Sequence, residues 1–236
     1  MVINRGKHCE HDCGKPWCRK FWKNKLRRKT DAGTENPKKP VAKLAISSGH
    51  GRFVHGAHGI CNEVMEARRV TDEVAKQLRK MGFHIDVFHD DRSMTVAENL
   101  DAITKWHLDP VRIGSHLHLS IHFNAYRSTD GARGVECLYR NPEMQNDAGM
   151  MAQRVSYITA LRNRGAKNRK NIRFLNAVDA TPIRRALLLE VCFVDARADM
   201  VIYKNNFTGV VWGICDAIIQ MHGTEEMKKQ LDTGEI

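Results

Sequence analysis

No apolar run in the 236 residues approaches the roughly 20 needed to cross a bilayer as a helix, so a membrane span is not the organising feature of this chain. No internal repeat is visible, which sets aside solenoids and other repeat arrays. Met1 to Thr30 lacks the apolar centre of a secretory leader and is basic throughout, so no signal peptide is expected. The cysteines number seven; an odd count without a secretory leader argues against a disulfide framework. Cys137, Cys192 and Cys215 sit among apolar residues and read as buried thiols. Acids are scarce at one end. Residues 1–40 hold 12 Lys or Arg against 4 Asp or Glu, so +8 of the net +11 lies there and the remainder is near balance. Basicity therefore belongs to an arm, and such an arm favours polyanions: nucleic acid, anionic lipid, lipopolysaccharide or teichoic acid.

The arm ends in Thr-Asp-Ala-Gly-Thr-Glu-Asn-Pro-Lys-Lys-Pro40, a composition that cannot build a core. Within it His8, Cys9, His11, Cys13 and Cys18 crowd beside Trp17, Phe21 and Trp22. The cluster reads either as a small zinc knuckle or aromatic-basic binding arm, or as a solvated tail with reactive thiols. Its cysteines are spaced by four and five positions, unlike the paired spacing of zinc ribbons.

The body, residues 41–222, alternates strand and helix signals. Val41–Ser47 reads as a strand, followed by a Gly/His loop from Gly49 to Cys61 and a helix capped by Asn62 that runs to about Met81. Phe83–Phe88 is the next strand. Thr95 and Glu98 form a capping box for a helix through about His107. Strands over His116–Phe123 and Gly134–Tyr139 precede a helix from about Asn146 to Leu161. Arg162–Lys170 reads as a basic loop, Ile172–Leu175 as a short strand and Ala186–Cys192 as a buried one. A helical turn near Ala198 and a helix from about Phe207 to His222 close the body; residues 223–236 read as a fraying polar tail. The pattern predicts an α/β fold, a mostly parallel central sheet of about six strands with helices on both faces.

Chemistry concentrates at three predicted strand ends. In His118-Leu-Ser-Ile-His122-Phe-Asn-Ala125 the apolar residues alternate with polar ones, and the run stops at Asn124. Ser47-Ser-Gly-His50-Gly51 likewise ends a strand with a His in a Gly-flanked turn. Ala186-Leu-Leu-Leu-Glu190-Val-Cys-Phe193 carries one carboxylate in an apolar run, costly to bury without a partner. Ligands of open α/β sheets gather at carboxyl ends of strands. Two imidazoles and a carboxylate there point to zinc-hydrolase chemistry.

With these residues in view, the body resembles the zinc-dependent N-acetylmuramoyl-L-alanine amidases of bacteria and phages. The matching pieces, in order, are Ser-Gly-His50-Gly, Asn-Glu63, Ser-Ile-His122-Phe-Asn-Ala, Asn-Arg-Gly-Ala-Lys167 and Leu-Leu-Glu190-Val-Cys-Phe-Val-Asp195. The resemblance implies hydrolysis of the amide joining N-acetylmuramic acid to L-alanine in peptidoglycan, with one Zn2+ held by His50, Glu63 and His122. It makes Glu190 the catalytic carboxylate and puts Arg164 and Lys167 near the muropeptide. Without a wall-binding repeat or leader, the chain looks like a phage or prophage endolysin. It would then be made in the host cytoplasm and reach the wall or periplasm after holin-type release. Residues 1–40 would assist by binding anionic envelope polymers.

Glu66, one turn beyond Glu63, competes for the metal, but the family places the ligand directly after the Asn. His118 lies on the strand face of His122, about 13 Å deeper, where a buried hydrogen-bonded role suits it. His55 and His58 read as exposed loop residues. Two other functions compete: a zinc peptidase cutting within the stem peptide, and a basic nucleic-acid-binding protein.

Overall fold

A computed structural model describes residues 40–234; the arm of residues 1–39, with its Cys/His cluster, and the final two residues lie outside the described residues. Residues 40–222 form one compact unit. Its strands are β1 (Lys43–Ser48), β2 (His84–Phe88), β3 (Leu117–Asn124), β4 (Val135–Tyr139), β5 (Asn163–Asn168) and β6 (Ala186–Phe193), joined in one sheet in the order β2-β1-β3-β6-β4-β5. The helices are α1 (Glu63–Lys80), α2 (Val96–Leu108), α3 (Gln145–Thr159), α4 (Arg173–Asp179), α5 (Arg197–Asn205) and α6 (Phe207–His222). The α/β architecture with a mostly parallel six-stranded sheet is as expected from the sequence.

Local chemistry accounts for the helix starts. Asn62 keeps an extended backbone and its Oδ1 accepts from the Val64 N–H at 2.8 Å, while Glu63 and Glu66 place negative charge at the positive end of α1. Both halves of the Thr95/Glu98 capping box are formed at α2. Val64, Ala67, Val70, Val74 and Leu78 give α1 its buried stripe. Gly82, at φ +89°, turns the chain from α1 into β2 in a conformation that an L side chain rarely adopts.

Two neighbouring expectations are corrected. The segment read as the basic loop Arg162–Lys170 contains β5, and the segment read as the strand Ile172–Leu175 opens α4. β5 is an edge strand with half-exposed polar residues, so it lacks the apolar alternation that marks a strand. In α4, Phe174, Leu175 and Val178 bury one helical face, and a short apolar run of that kind fits either period. The turn near Ala198 is a nine-residue helix, α5. The tail expected to fray holds an eight-residue helix, α7 (Glu225–Asp232), in which Thr224 caps the Met227 N–H at 3.2 Å.

Strand direction matters most for the site. β2, β1, β3 and β6 are parallel, but β4 pairs antiparallel with β6, and β5 runs parallel to β4. The starts of β4 and β5 therefore lie on the edge where β1, β3 and β6 end. One sheet face is packed by α2 and α4 through Ile103, Phe174, Leu175, Val178, Leu138 and Leu188. Residues two apart share a face, so Glu136 and Glu190 continue the Leu138 and Leu188 rows to the strand ends.

Candidate functional site

His50 stands two residues past β1, Glu63 opens α1 and His122 stands near the end of β3. The structure brings all three together: one donor atom from each lies within 4.8 Å of the other two. Glu63 is 2 % exposed, with Oε1 3.1 Å from His122 Nδ1 and Oε2 3.3 Å from His50 Nε2. Backbone N–H groups fix the same carboxylate, Phe123 donating to Oε1 at 3.0 Å and Ala57 to Oε2. The imidazole rings meet edge-on, 5.1 Å between centroids. Small residues make room: a Cβ on Gly49 would lie 2.0 Å from His122 Cε1, and one on Gly56 2.7 Å from Glu63 Oε2.

Burial pushes the Glu63 carboxyl up, but hydrogen bonds and charge from His122 and His50 outweigh it and hold the group below the ordinary carboxylate range. Burial lowers His122 more than Glu63 raises it, which favours the neutral, metal-ligating imidazole.

Glu190 on β6 is the register partner of His122 on one side and of Glu136 on the other. Its Oε2 is buried and has no hydrogen-bond partner among the described residues. Burial, then the negative charges of Glu63 and Glu136, raise its pKa well above the usual carboxylate value. This is the arrangement a cation would complete. Two imidazoles and a carboxylate converge, and a further carboxylate beside them has no ion-pair partner among the described residues. The residues fit a single metal ion.

Arg164 lies at the start of β5, where its Nε donates to Glu136 Oε2 at 2.8 Å. Asn124 Nδ2 donates to Glu136 Oε1 at 3.2 Å. Lys167 pairs in register with Leu138, two residues along β4 from Glu136 and so about 7 Å further from the strand ends. The sequence reading missed Glu136, although a carboxylate inside Gly134-Val-Glu-Cys-Leu-Tyr139 carries the same signal that singled out Glu190. Of the other candidates, Glu66 turns away to accept from Tyr203 and pair with Arg69 at 3.5 Å. His55 and His58 are exposed.

His118 is fully buried, as its place on β3 suggested, but its partner was not legible. His107 Nδ1 lies 3.1 Å from His118 Nδ1, and His107 Nε2 lies 2.9 Å from Ser47 Oγ. His118 Nε2 faces the Ile113 carbonyl at 3.4 Å. A proton on that nitrogen leaves His118 Nδ1 to accept from His107 and His107 Nε2 to accept from Ser47, so both rings serve as neutral tautomers. Burial is the main cause holding both well down, His118 to about 4.

Acid should expose this pair. The unfolded chain binds the extra protons between about pH 6.5 and about pH 4, so stability is full above that window and is lost as the pH falls through it. For His118 alone the loss is on the order of 3 kcal/mol, roughly 10 °C in Tm. Thermal melts in chelator should show this slope and a flatter one for His118→Asn. A wild-type Tm that holds level from about pH 7 to about pH 4.5 would contradict it.

Comparison with known proteins bears on the whole body. A sequence model described as N-acetylmuramoyl-L-alanine amidase matches residues 44–220. An uncharacterised 38.4 kDa protein of Clostridium perfringens is 28 % identical over 187 residues, covering 75 % of this chain and 52 % of that protein. The chain spans about half the length of the curated relatives it matches. The catalytic domain of the CD27L endolysin targeting Clostridia difficile superposes with a TM-score of 0.63 at 23 % identity, covering 76 % of this chain and 97 % of that one. The catalytic domain of CwlV, an N-acetylmuramoyl-L-alanine amidase from Bacillus (Paenibacillus) polymyxa, gives 0.63 at 22 % identity, with coverage of 76 % and 97 %. At such identities these two structures speak to the fold. The sequence match spans both imidazoles, Glu63 and Glu190, and by it the chain belongs to the N-acetylmuramoyl-L-alanine amidase family.

Proposed function

We propose that the chain is a zinc-dependent hydrolase cutting the amide between the lactyl group of N-acetylmuramic acid and L-alanine of the peptidoglycan stem. Residues 41–222 are the catalytic domain, His50, Glu63 and His122 hold one zinc ion, and Glu190 is the catalytic carboxylate. One observation carries the reading: three convergent metal donors stand beside a buried carboxylate oxygen that has no partner among the described residues, in register with one of them.

Zinc held by His50, Glu63 and His122 would supply Lewis acidity to the scissile carbonyl and lower the pKa of the attacking water. Glu63 balances the charge and, pinned by two backbone N–H groups, keeps both imidazoles turned inward. Glu190 takes the proton from the water and passes it to the leaving L-alanine nitrogen. Arg164 and Lys167 are assigned to carboxylates of the muropeptide.

Purified sacculi decide the reaction. The expected products are intact stem peptides with a free L-alanine amine, formed with zinc and not in chelator. Fragments cut within the stem would instead mark a peptidase, and activity undiminished by chelation would remove zinc from the mechanism. The fold shared with an endolysin catalytic domain supports a lytic, phage-type role, in which the enzyme is made in the host cytoplasm and reaches the wall after holin-type release. Among the described residues, no helix is long and apolar enough to cross a membrane.

The basic arm is assigned to attachment at anionic envelope polymers, on the strength of the charge held by residues 1–40. Deleting residues 1–39 should leave turnover of soluble muropeptides unchanged and slow lysis of permeabilised cells at low salt, with the difference vanishing as salt screens the arm. Loss of activity on the soluble substrate would make the arm part of the catalytic unit instead.

A further inference from the structure

We propose that Arg164 is a fixed carboxylate receptor for the second residue of the stem peptide, and that Glu136 is the residue that positions it. The inference rests on the amidase reading above.

The reversed direction of β4 and β5 is what brings this pair to the site. It sets the first residues of both strands beside the ends of β3 and β6. The row His122, Glu190, Glu136 then continues to Arg164 across four neighbouring strands. Glu136 is 4 % exposed and held from two sides, by Asn124 at 3.2 Å and Arg164 at 2.8 Å. Arg164 is in turn laid over the Phe193 ring, its guanidinium carbon 4.9 Å from the centroid. The β3–β6 register shift pairs Phe193 with Asn124, which puts that ring at the same strand ends.

With Nε taken by Glu136, the two terminal nitrogens of Arg164 have no partner among the described residues, and a third of the side chain is open. Two parallel N–H donors on one rigid edge match a carboxylate, and the geometry is set before any ligand arrives. A second guanidinium, that of Arg133, lies 5.3 Å from the same ring.

Reach selects the position. β5 is two strands from β6, roughly 10 Å or about three extended residues. Arg164 leans back over Phe193 of β6, which shortens the span to about two residues from the bond beside Glu190. The stem residue after L-alanine carries a carboxylate that is either free or amidated. Arg164 separates the two, because an amide offers neither the charge nor the second acceptor oxygen. Lys167, about 7 Å further along the sheet, has no share in this contact.

The test uses the full-length zinc-loaded protein and two soluble muropeptides differing only in a free or amidated carboxylate on the second stem residue. The wild type should favour the free acid by about tenfold or more in kcat/KM. Arg164→Gln should lower kcat/KM on the free acid by about 10- to 100-fold, through KM, and lower it far less on the amide. Glu136→Gln should raise KM for the free acid alone, and the released free-acid peptide should bind the wild type more tightly than Arg164→Gln by calorimetry. Equal wild-type rates on both substrates, or equal losses on both in Arg164→Gln, would overturn the receptor while leaving the amidase intact. Cleavage of neither substrate by the wild type would overturn the amidase reading and the receptor with it.

Discussion

Replacing Glu190 by Gln should cut turnover by roughly two to four orders of magnitude, the usual worth of general acid–base catalysis, while zinc content and fold stay intact. The geometry gives two reasons. Glu190 is not a member of the three-donor cluster, so an amide in its place removes no metal ligand. Its Oε2 makes no hydrogen bond among the described residues, so no packing interaction of that oxygen is lost. The rival account is a carboxylate kept for an ion pair with an arginine near in sequence, Arg184 or Arg185. Arg184 is instead engaged with Asp179 at 3.3 Å, and no ion pair to Glu190 is formed among the described residues. A structural Glu190 would lower Tm on substitution and spare activity; a proton shuttle does the reverse. Zinc stoichiometry, Tm and kcat on one preparation distinguish them. A folded, zinc-loaded Glu190→Gln protein at near-normal kcat would remove Glu190 from the mechanism.

The same residue shows what the sequence makes legible. Glu190, His50 and His122 stand out because polar groups interrupt or end apolar runs, and each of those runs forms a strand. Glu63 was found through the Asn62 cap and the family motif, and the backbone sets it at the first helical position. Strand direction was not legible. No local pattern reports that β4 turns back against β6, since pairing across a sheet is decided by packing between distant segments. Glu136 and the true setting of Arg164 were hidden for that reason. β5 was hidden by its polarity, α4 by its shortness, and the His107–His118 contact because it joins a helix to a strand.

Glu63→Ala should abolish stoichiometric metal binding and activity together, whereas Glu66→Ala should keep both. The two acids are one helical turn apart, and the structure gives them opposite surroundings. Glu63 faces both imidazoles and accepts from the Ala57 and Phe123 N–H groups, so its removal takes one of three donors and strands two backbone donors. Each stranded buried donor costs about 1–3 kcal/mol, so Tm should fall as well as metal content. Among the described residues, the Glu66 side chain holds the Tyr203 hydroxyl and Arg69. Its loss leaves the hydroxyl of Tyr203, a residue 1 % exposed, unsatisfied, and Tm should fall by the equivalent of about 1–3 kcal/mol with the metal unaffected. Adding Tyr203→Phe to Glu66→Ala should recover much of that loss, because both halves of the hydrogen bond are then gone. No second substitution outside the metal cluster should restore zinc to Glu63→Ala. Metal analysis after dialysis, with Tm measured in parallel, reads all three variants. Zinc retained in Glu63→Ala and lost in Glu66→Ala would mean that the ligand on this helix lies one turn further along.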